Sequence, residues 1–229
     1  MKLFLLFLTA ILPGWTAGPG VITSVRAARD FAPSADPEAQ PWKGAPGIWI
    51  ENDNFGKPVA GHRSEVRSRW TDKHIYFLFI CPYKELHLKP DPQTTSDTNR
   101  LWEWDVAEVF VGSDFDNIHR YKEFELSPQG EWIDLDIDSR NLNADENLKW
   151  NSGLEVKARI DAARKIWYGE MKIPLASIDS RPPRPGNKMR INFYRAQGKP
   201  PARIHLTWQP TNARSFHVPE AFGTLVLGQ

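Results

Sequence analysis

From residue 154 the chain reads Leu-Glu-Val-Lys-Ala-Arg-Ile-Asp. Leu154, Val156, Ala158 and Ile160 share one phase, and Glu155, Lys157, Arg159 and Asp161 the other. Side chains alternate faces along a strand, so this run predicts a half-buried β-strand. Glu131–Asp138 repeats the pattern, with Ile133, Leu135 and Ile137 on one face and Trp132, Asp134, Asp136 and Asp138 on the other. In Asp105–Val111, Ala107, Val109 and Val111 form a buried face, while Val106, Glu108 and Phe110 take the opposite phase. His74–Cys81 is apolar from Ile75 onward, as a strand covered on both faces should be. Gly47–Asn52, Glu65–Trp70, Tyr121–Leu126, Ile166–Ile173, Met189–Arg195, Arg203–Trp208 and Phe222–Leu227 are further short runs. Turn clusters such as Gly112-Ser113-Asp114 and Ser127-Pro128-Gln129-Gly130 bound them. No long helix-period pattern interrupts the series, and nineteen prolines work against one. The expectation is all-β: an antiparallel β-sandwich of about ten strands, jelly-roll or immunoglobulin-like, forming one domain over residues 47–229.

Two segments precede that domain. Met1 to Gly20 reads as a secretory signal peptide: Lys2, an apolar run from Leu3 to Leu12, then Pro13-Gly14 and the small residues Thr16, Ala17 and Gly18. The run is shorter than the roughly 20 residues a membrane-spanning helix needs. A secreted or periplasmic protein, free of the membrane once the signal is removed, is expected. Residues 21–46, Pro/Ala-rich from Arg26, read as an extended lead-in that covers part of the domain.

Charge narrows the partners. The chain has 29 Lys+Arg against 28 Asp+Glu, and without Lys2 the two are equal. Nucleic-acid binders need a basic excess to displace counterions, so no nucleic acid is expected. Cys81 is the only cysteine, which excludes an intramolecular disulfide, and its apolar run reads as a small buried thiol.

Three kinds of chemistry remain open. The acidic run from Asp134 through Asp136 and Asp138 to Asn141, Asn143, Asp145 and Glu146 offers oxygen ligands that suit calcium. A solvated strand face explains the same alternation. Paired carboxylates among Glu103, Asp105, Glu108, Glu123 and Glu125 would suit glycoside hydrolysis, although spacing along the chain says nothing about separation in space. His74 and His217 are conceivable haem ligands. Aromatics are the richest resource, with ten Trp. An indole face stacks on the C–H face of a sugar while acids and amides reach its hydroxyls. Arg100–Glu108, with Trp102 and Trp104, and Thr207–Asn212, with Trp208, have that composition.

Four ordered pieces carry a resemblance. They are Trp102-Glu-Trp-Asp105-Val-Ala-Glu108-Val-Phe-Val, Tyr121-Lys-Glu-Phe-Glu-Leu-Ser-Pro128-Gln-Gly130, Trp167-Tyr-Gly-Glu170-Met-Lys-Ile-Pro174, and Arg190-Ile-Asn192-Phe-Tyr-Arg195. The last continues to Trp208-Gln-Pro210 and Phe216-His-Val-Pro-Glu220-Ala-Phe222-Gly223. Together they resemble family 9 carbohydrate-binding modules over roughly Trp42 to Leu227. The resemblance implies a β-sandwich that holds the end of a sugar chain between two Trp, structural calcium, and association with polysaccharide-degrading enzymes. Trp102 matches the first sandwiching Trp, Glu108 a sugar-hydroxyl acceptor, and Trp208 the second Trp; Asn192 and Arg195 join them as candidate polar contacts. Where the family has a basic partner, this chain reads Glu123-Phe-Glu125. Trp102 and Trp208 are then expected to face each other across an open slot with Glu108 at its wall.

Overall fold

The computed structural model describes residues 20–142 and 147–229; the expected signal segment up to residue 19, and Asn143, Asp145 and Glu146 of the acidic run, lie outside them. The described residues form twelve strands: β1 Val21–Arg26, β2 Gly47–Ile50, β3 Ser64–Trp70, β4 His74–Pro82, β5 Val106–Gly112, β6 Arg120–Leu126, β7 Trp132–Asp138, β8 Glu155–Asp161, β9 Ile166–Pro174, β10 Lys188–Gln197, β11 Ile204–Thr207 and β12 Gly223–Leu227. The fold is all-β. Neighbouring strands run in the order β7-β6-β5-β10-β12-β1-β3-β4-β9-β8, with β11 added on β10 and β2 on β3.

The expectation of a purely antiparallel arrangement is corrected at β1. Its first residues, Val21–Ser24, pair in parallel with Thr224–Leu227 of β12, and Val25 and Arg26 pair in parallel with Arg69 and Trp70 of β3. One strand therefore belongs to both halves, and the result is a continuous mixed sheet rather than two separate ones. The beginning of the lead-in is this strand, tied by backbone hydrogen bonds to both neighbours.

The two halves face each other across an apolar core. Ala107, Val109 and Val111 of β5, Phe124 and Leu126 of β6, and Ile191 and Phe193 of β10 meet Phe77 and Phe79 of β4 and Met171 and Ile173 of β9. Phe193 lies edge-on to Phe77 and Phe79, at 5.4 and 6.2 Å between ring centroids. Cys81 is in this core, where burial pushes its thiol up, away from reactivity. Period 2 sends the alternate residues outward, so each half also has an outer face.

The two outer faces differ. Over β3, β4 and β9 the lead-in folds back: Phe31 stacks on Tyr76 at 3.9 Å, Trp42 is fully buried with Tyr76 and Leu78, and Arg69 donates to the carbonyls of Pro41 and Lys43. Over β5, β6, β7 and β10 lies a second cluster of Phe110, Tyr121, Leu135, Ile137 and Tyr194, of which Phe110, Leu135 and Ile137 line an open cleft.

Candidate functional site

The cleft is built on register. Tyr194 of β10, Glu108 of β5, Glu125 of β6 and Ile133 of β7 are successive partners in one row across the sheet. Asn192, Phe110, Glu123 and Leu135 make the next. The cavity holds about 330 Å³. Phe110, Leu135 and Ile137 form its apolar floor, with Glu108 and Glu123 set among them.

Trp102 stands at one wall, half-buried, on a single helical turn at Leu101–Glu103. That turn begins at Arg100, in the left-handed region at φ 60°, and leads directly into β5. Arg203 braces it by donating to the carbonyls of Trp102 at 2.6 Å, Glu103 at 3.0 Å and Trp104 at 2.5 Å. The cleft is further lined by His205 of β11 and, from the loop before β12, Arg214, Phe216 and His217. Phe216 stacks on Tyr194 at 4.2 Å and meets His205 edge-on at 5.3 Å. His217 Nδ1 lies 2.7 Å from the Tyr121 hydroxyl, and burial lowers its imidazole to about 4, so the ring is neutral at pH 7.

Glu108, Glu123 and Glu125 bring carboxylate oxygens within 4.8 Å of one another, and all three are buried. Glu108 is raised well above the usual carboxylate range by burial and by Glu123; Glu125 is raised by burial, then by Glu108 and Glu123; burial pushes Glu123 up to about 7. Among the described residues no N–H or hydroxyl group donates to either oxygen of Glu125 or to Oε2 of Glu123. Such a trio leaves strong acceptors without donors.

Several expected site residues are placed elsewhere. Trp208 does not line the cleft. It packs edge-on against Phe193 at 5.8 Å and lies over the backbone at Gly20 and Gly223, where an added Cβ would sit 2.8 and 2.6 Å from its ring. The slot between Trp102 and Trp208 is thereby corrected: Trp208 continues the core phase of Leu206, and the aromatic residues that line the cleft with Trp102 are Phe110, Phe216 and His217. Arg195 shares the inward phase of Ile191 and Phe193; it is fully buried and donates to Ser64 Oγ at 2.9 Å, away from the cleft. Asn192 has the outward phase, but its amide is committed. It donates to the Tyr194 hydroxyl and the Gln209 carbonyl, and accepts from the Phe193 and Gln209 backbone amides. Its role is to hold strand and loop together.

The calcium expectation at Asp134, Asp136 and Asp138 meets partners of other kinds. Asp134 accepts from the Ser152 amide and hydroxyl, Asp136 pairs with Lys122 at 2.8 Å and Arg120 at 3.3 Å, and Asp138 pairs with Arg140 at 2.7 Å. Three acids answered by separate partners do not converge on one ion. Among the described residues the acids that do converge are the three glutamates of the cleft.

The other chemistries disperse likewise. Glu103 is paired with Arg100 at the surface, and Asp105 accepts from the His87 and Gly198 backbone amides. His74 is bound to Asp30 at the start of β4, on the other half of the sheet from His217. The apolar floor has no sequence signal of its own, because Leu135 and Ile137 have the same alternation whether they face a core or a cleft. Phe216 enters the sequence reading only within a resembling piece, and His217 there and as a conceivable haem ligand rather than as part of a sugar cleft.

Comparison with known proteins agrees with this architecture. An extracellular protein of Arthroderma benhamiae is 23% identical over 195 residues, covering 78% of this chain and 86% of that one. A Bacteroides uniformis structure, described as a candidate carbohydrate-binding protein, superposes with a TM-score of 0.71 at 19% identity, covering 92% of this chain and all of that one. A family 9 carbohydrate-binding module of Caldicellulosiruptor kristjanssonii, solved with cellotriose, gives a TM-score of 0.63 at 14% identity over 91% of this chain and 94% of the module. At such identities the superpositions speak for the fold. The sequence model of the carbohydrate family 9 binding domain-like family matches residues 38–229, from the lead-in to the last strand, and the chain belongs to that family.

Proposed function

We propose that the chain is an exported, non-catalytic carbohydrate-binding protein that takes an oligosaccharide or polysaccharide into the cleft beside Trp102. The observation that carries this reading is the cleft itself: a half-buried indole at the wall, an apolar floor of Phe110, Leu135 and Ile137, and acids among them. A sugar has the matching pattern of apolar C–H faces and hydroxyl rims. Stacking on Trp102 supplies affinity, and Glu108 accepts a hydroxyl. The solved family 9 module bound to cellotriose supports a glucan ligand. Export is supported by the Lys2, apolar and small-residue order of the first twenty residues and by the extracellular relative. In this setting the protein works beside polysaccharide-degrading enzymes.

A glycan array followed by calorimetry with cello-oligosaccharides tests it. Binding in the millimolar-to-micromolar range is expected. Trp102→Ala removes a stacking contact worth about 1–3 kcal/mol by analogy with base stacking, so affinity should fall roughly tenfold or more. A wild-type protein that binds no glycan, or that releases reducing sugar from a polysaccharide, would overturn the reading.

A further inference from the structure

We propose that Glu108, Glu123 and Glu125 hold a divalent cation with calcium's ligand preference at the back of the cleft. The three carboxylates are placed by the sheet, since Glu108 and Glu125 are direct register partners on β5 and β6 and Glu123 is two residues along the same face. Their oxygens lie within 4.8 Å of one another. Calcium binds oxygens at about 2.3–2.6 Å, so ligands on opposite sides of one ion stand up to roughly 5 Å apart. The spread of the trio suits a single ion at its centre.

A second observation points the same way. Glu125 is 0% exposed, and among the described residues no N–H or hydroxyl group donates to either of its oxygens or to the buried Glu123 Oε2; the two carboxyls have only each other to share a proton with. Buried carboxylates ordinarily gather N–H or O–H groups or a counter-charge. The nearby cation, Arg203, counters Glu108 and Glu125 only through space: four of its five N–H groups are spent on the carbonyls of Trp102, Glu103, Trp104 and Gly198. Among the described residues no Lys, Arg or His forms an ion pair with any of the three.

The geometry favours an ion over a cationic group carried by the ligand. Glu108 and Glu123 line the cleft, whereas Glu125 sits behind them. A ligand resting in the cleft reaches the front pair alone, while a bare ion between the three reaches all of them. Three glutamates leave part of calcium's six to eight positions free, and those positions face the cleft. There they coordinate ligand hydroxyls, a role that rests on the carbohydrate reading above.

The test begins with calcium alone. Chelator-treated protein is dialysed against calcium up to about 1 mM, the range of extracellular calcium modules. One ion per chain is expected, with a rise in melting temperature. Terbium should report the same site by luminescence sensitised through Trp102. Glu125→Gln and Glu123→Gln should each weaken uptake by roughly tenfold or more. Both remove a buried charge, and far-UV circular dichroism checks their folding. A wild-type protein that takes up no calcium, or Glu125→Gln that is folded and binds it as tightly, would overturn the site. If calcium uptake needs Glu125 but no glycan binds with or without the ion, the carbohydrate reading falls and the cation site stands. Equal glycan affinity in chelator and in calcium would remove the ion's part in ligand binding.

Discussion

On the outward side of β9, Glu170 lies beneath the lead-in and is fully buried; the backbone amides of Ser34 and Ala35 each donate to its Oε2 at 2.9 Å, and the Ser34 hydroxyl at 3.3 Å. On the outward side of β5 and β6, Glu108, Glu123 and Glu125 are buried too, but among the described residues no N–H or hydroxyl group donates to Glu125. The two outer faces thus bury the same residue type under opposite conditions. Burial raises both sets of carboxyls; at Glu170 the amides of Ser34 and Ala35 and the Trp42 and Ser34 side chains work against the rise, while the cleft acids repel one another. A buried acid supplied with donors is part of the fold, and one left without them marks a place built for something else. Trp follows the same division, with Trp42 of the lead-in sealed against Tyr76 and Leu78 and Trp102 left at the wall of the cleft.

The largest expected effect separates two Trp. Trp208→Ala removes a partly buried ring packed against Phe193 and the main core and should cost about 3 kcal/mol, the low end for a core aromatic. Trp102→Ala should cost less, because its ring, partly buried like that of Trp208, lines the cleft instead of packing against the main core. Urea denaturation of both variants measures this. Equal losses would erase the distinction between packed and cleft Trp.

A smaller effect separates the buried acids. Glu170→Ala strands the Ser34 and Ala35 amides beneath the lead-in, at roughly 1–3 kcal/mol for such unpaired groups. For a chain of this length about 1 kcal/mol moves the melting temperature by roughly 2–4 °C. Glu125→Gln in chelator should melt at or above the wild type, since a buried acid without donors is replaced by a neutral amide. Thermal melts of both decide it; a Glu125→Gln that melts well below wild type in chelator would mean that Glu125 has a structural partner.

How much of this was legible in the sequence depends on whether period 2 alone decides the matter. It separates Glu108 and Phe110 from Ala107 and Val109, and the structure keeps that separation. It also places Arg195 in phase with Ile191 and Phe193, and Trp208 in phase with Leu206, so the core assignment of both was readable from spacing. Alternation cannot say which outer face is covered. That depends on where Phe31 and Trp42 land after a chain reversal, which is a tertiary event with no local signature. Nor can it say that Glu123 and Glu125 of β6 meet Glu108 of β5, because register across a strand pair is set by the whole sheet. β1 was missed for a related reason: its short run Val-Ile-Thr-Ser becomes a strand by joining β12 and β3.

The smallest expected effect lies on β7. Asp136 and Asp138 share a phase with Asp134, and in sequence this row looks more like a cation site than the scattered glutamates do. In the structure their side chains are 26% and 22% exposed and face Lys122, Arg120 and Arg140. Ion pairs with that much access to water are typically worth 0–1 kcal/mol, so Asp136→Asn and Asp138→Asn should each change stability by less than about 1 kcal/mol. Neither should alter calcium uptake, since each acid already has a basic partner and the row spreads along a strand at about 6.6–6.8 Å per pair of residues. Dialysis of the double variant beside Glu125→Gln makes the contrast direct. Loss of calcium in the aspartate variant with retention in Glu125→Gln would move the ion to β7; the opposite result would show that missing donors, rather than density of acids along the chain, locate it.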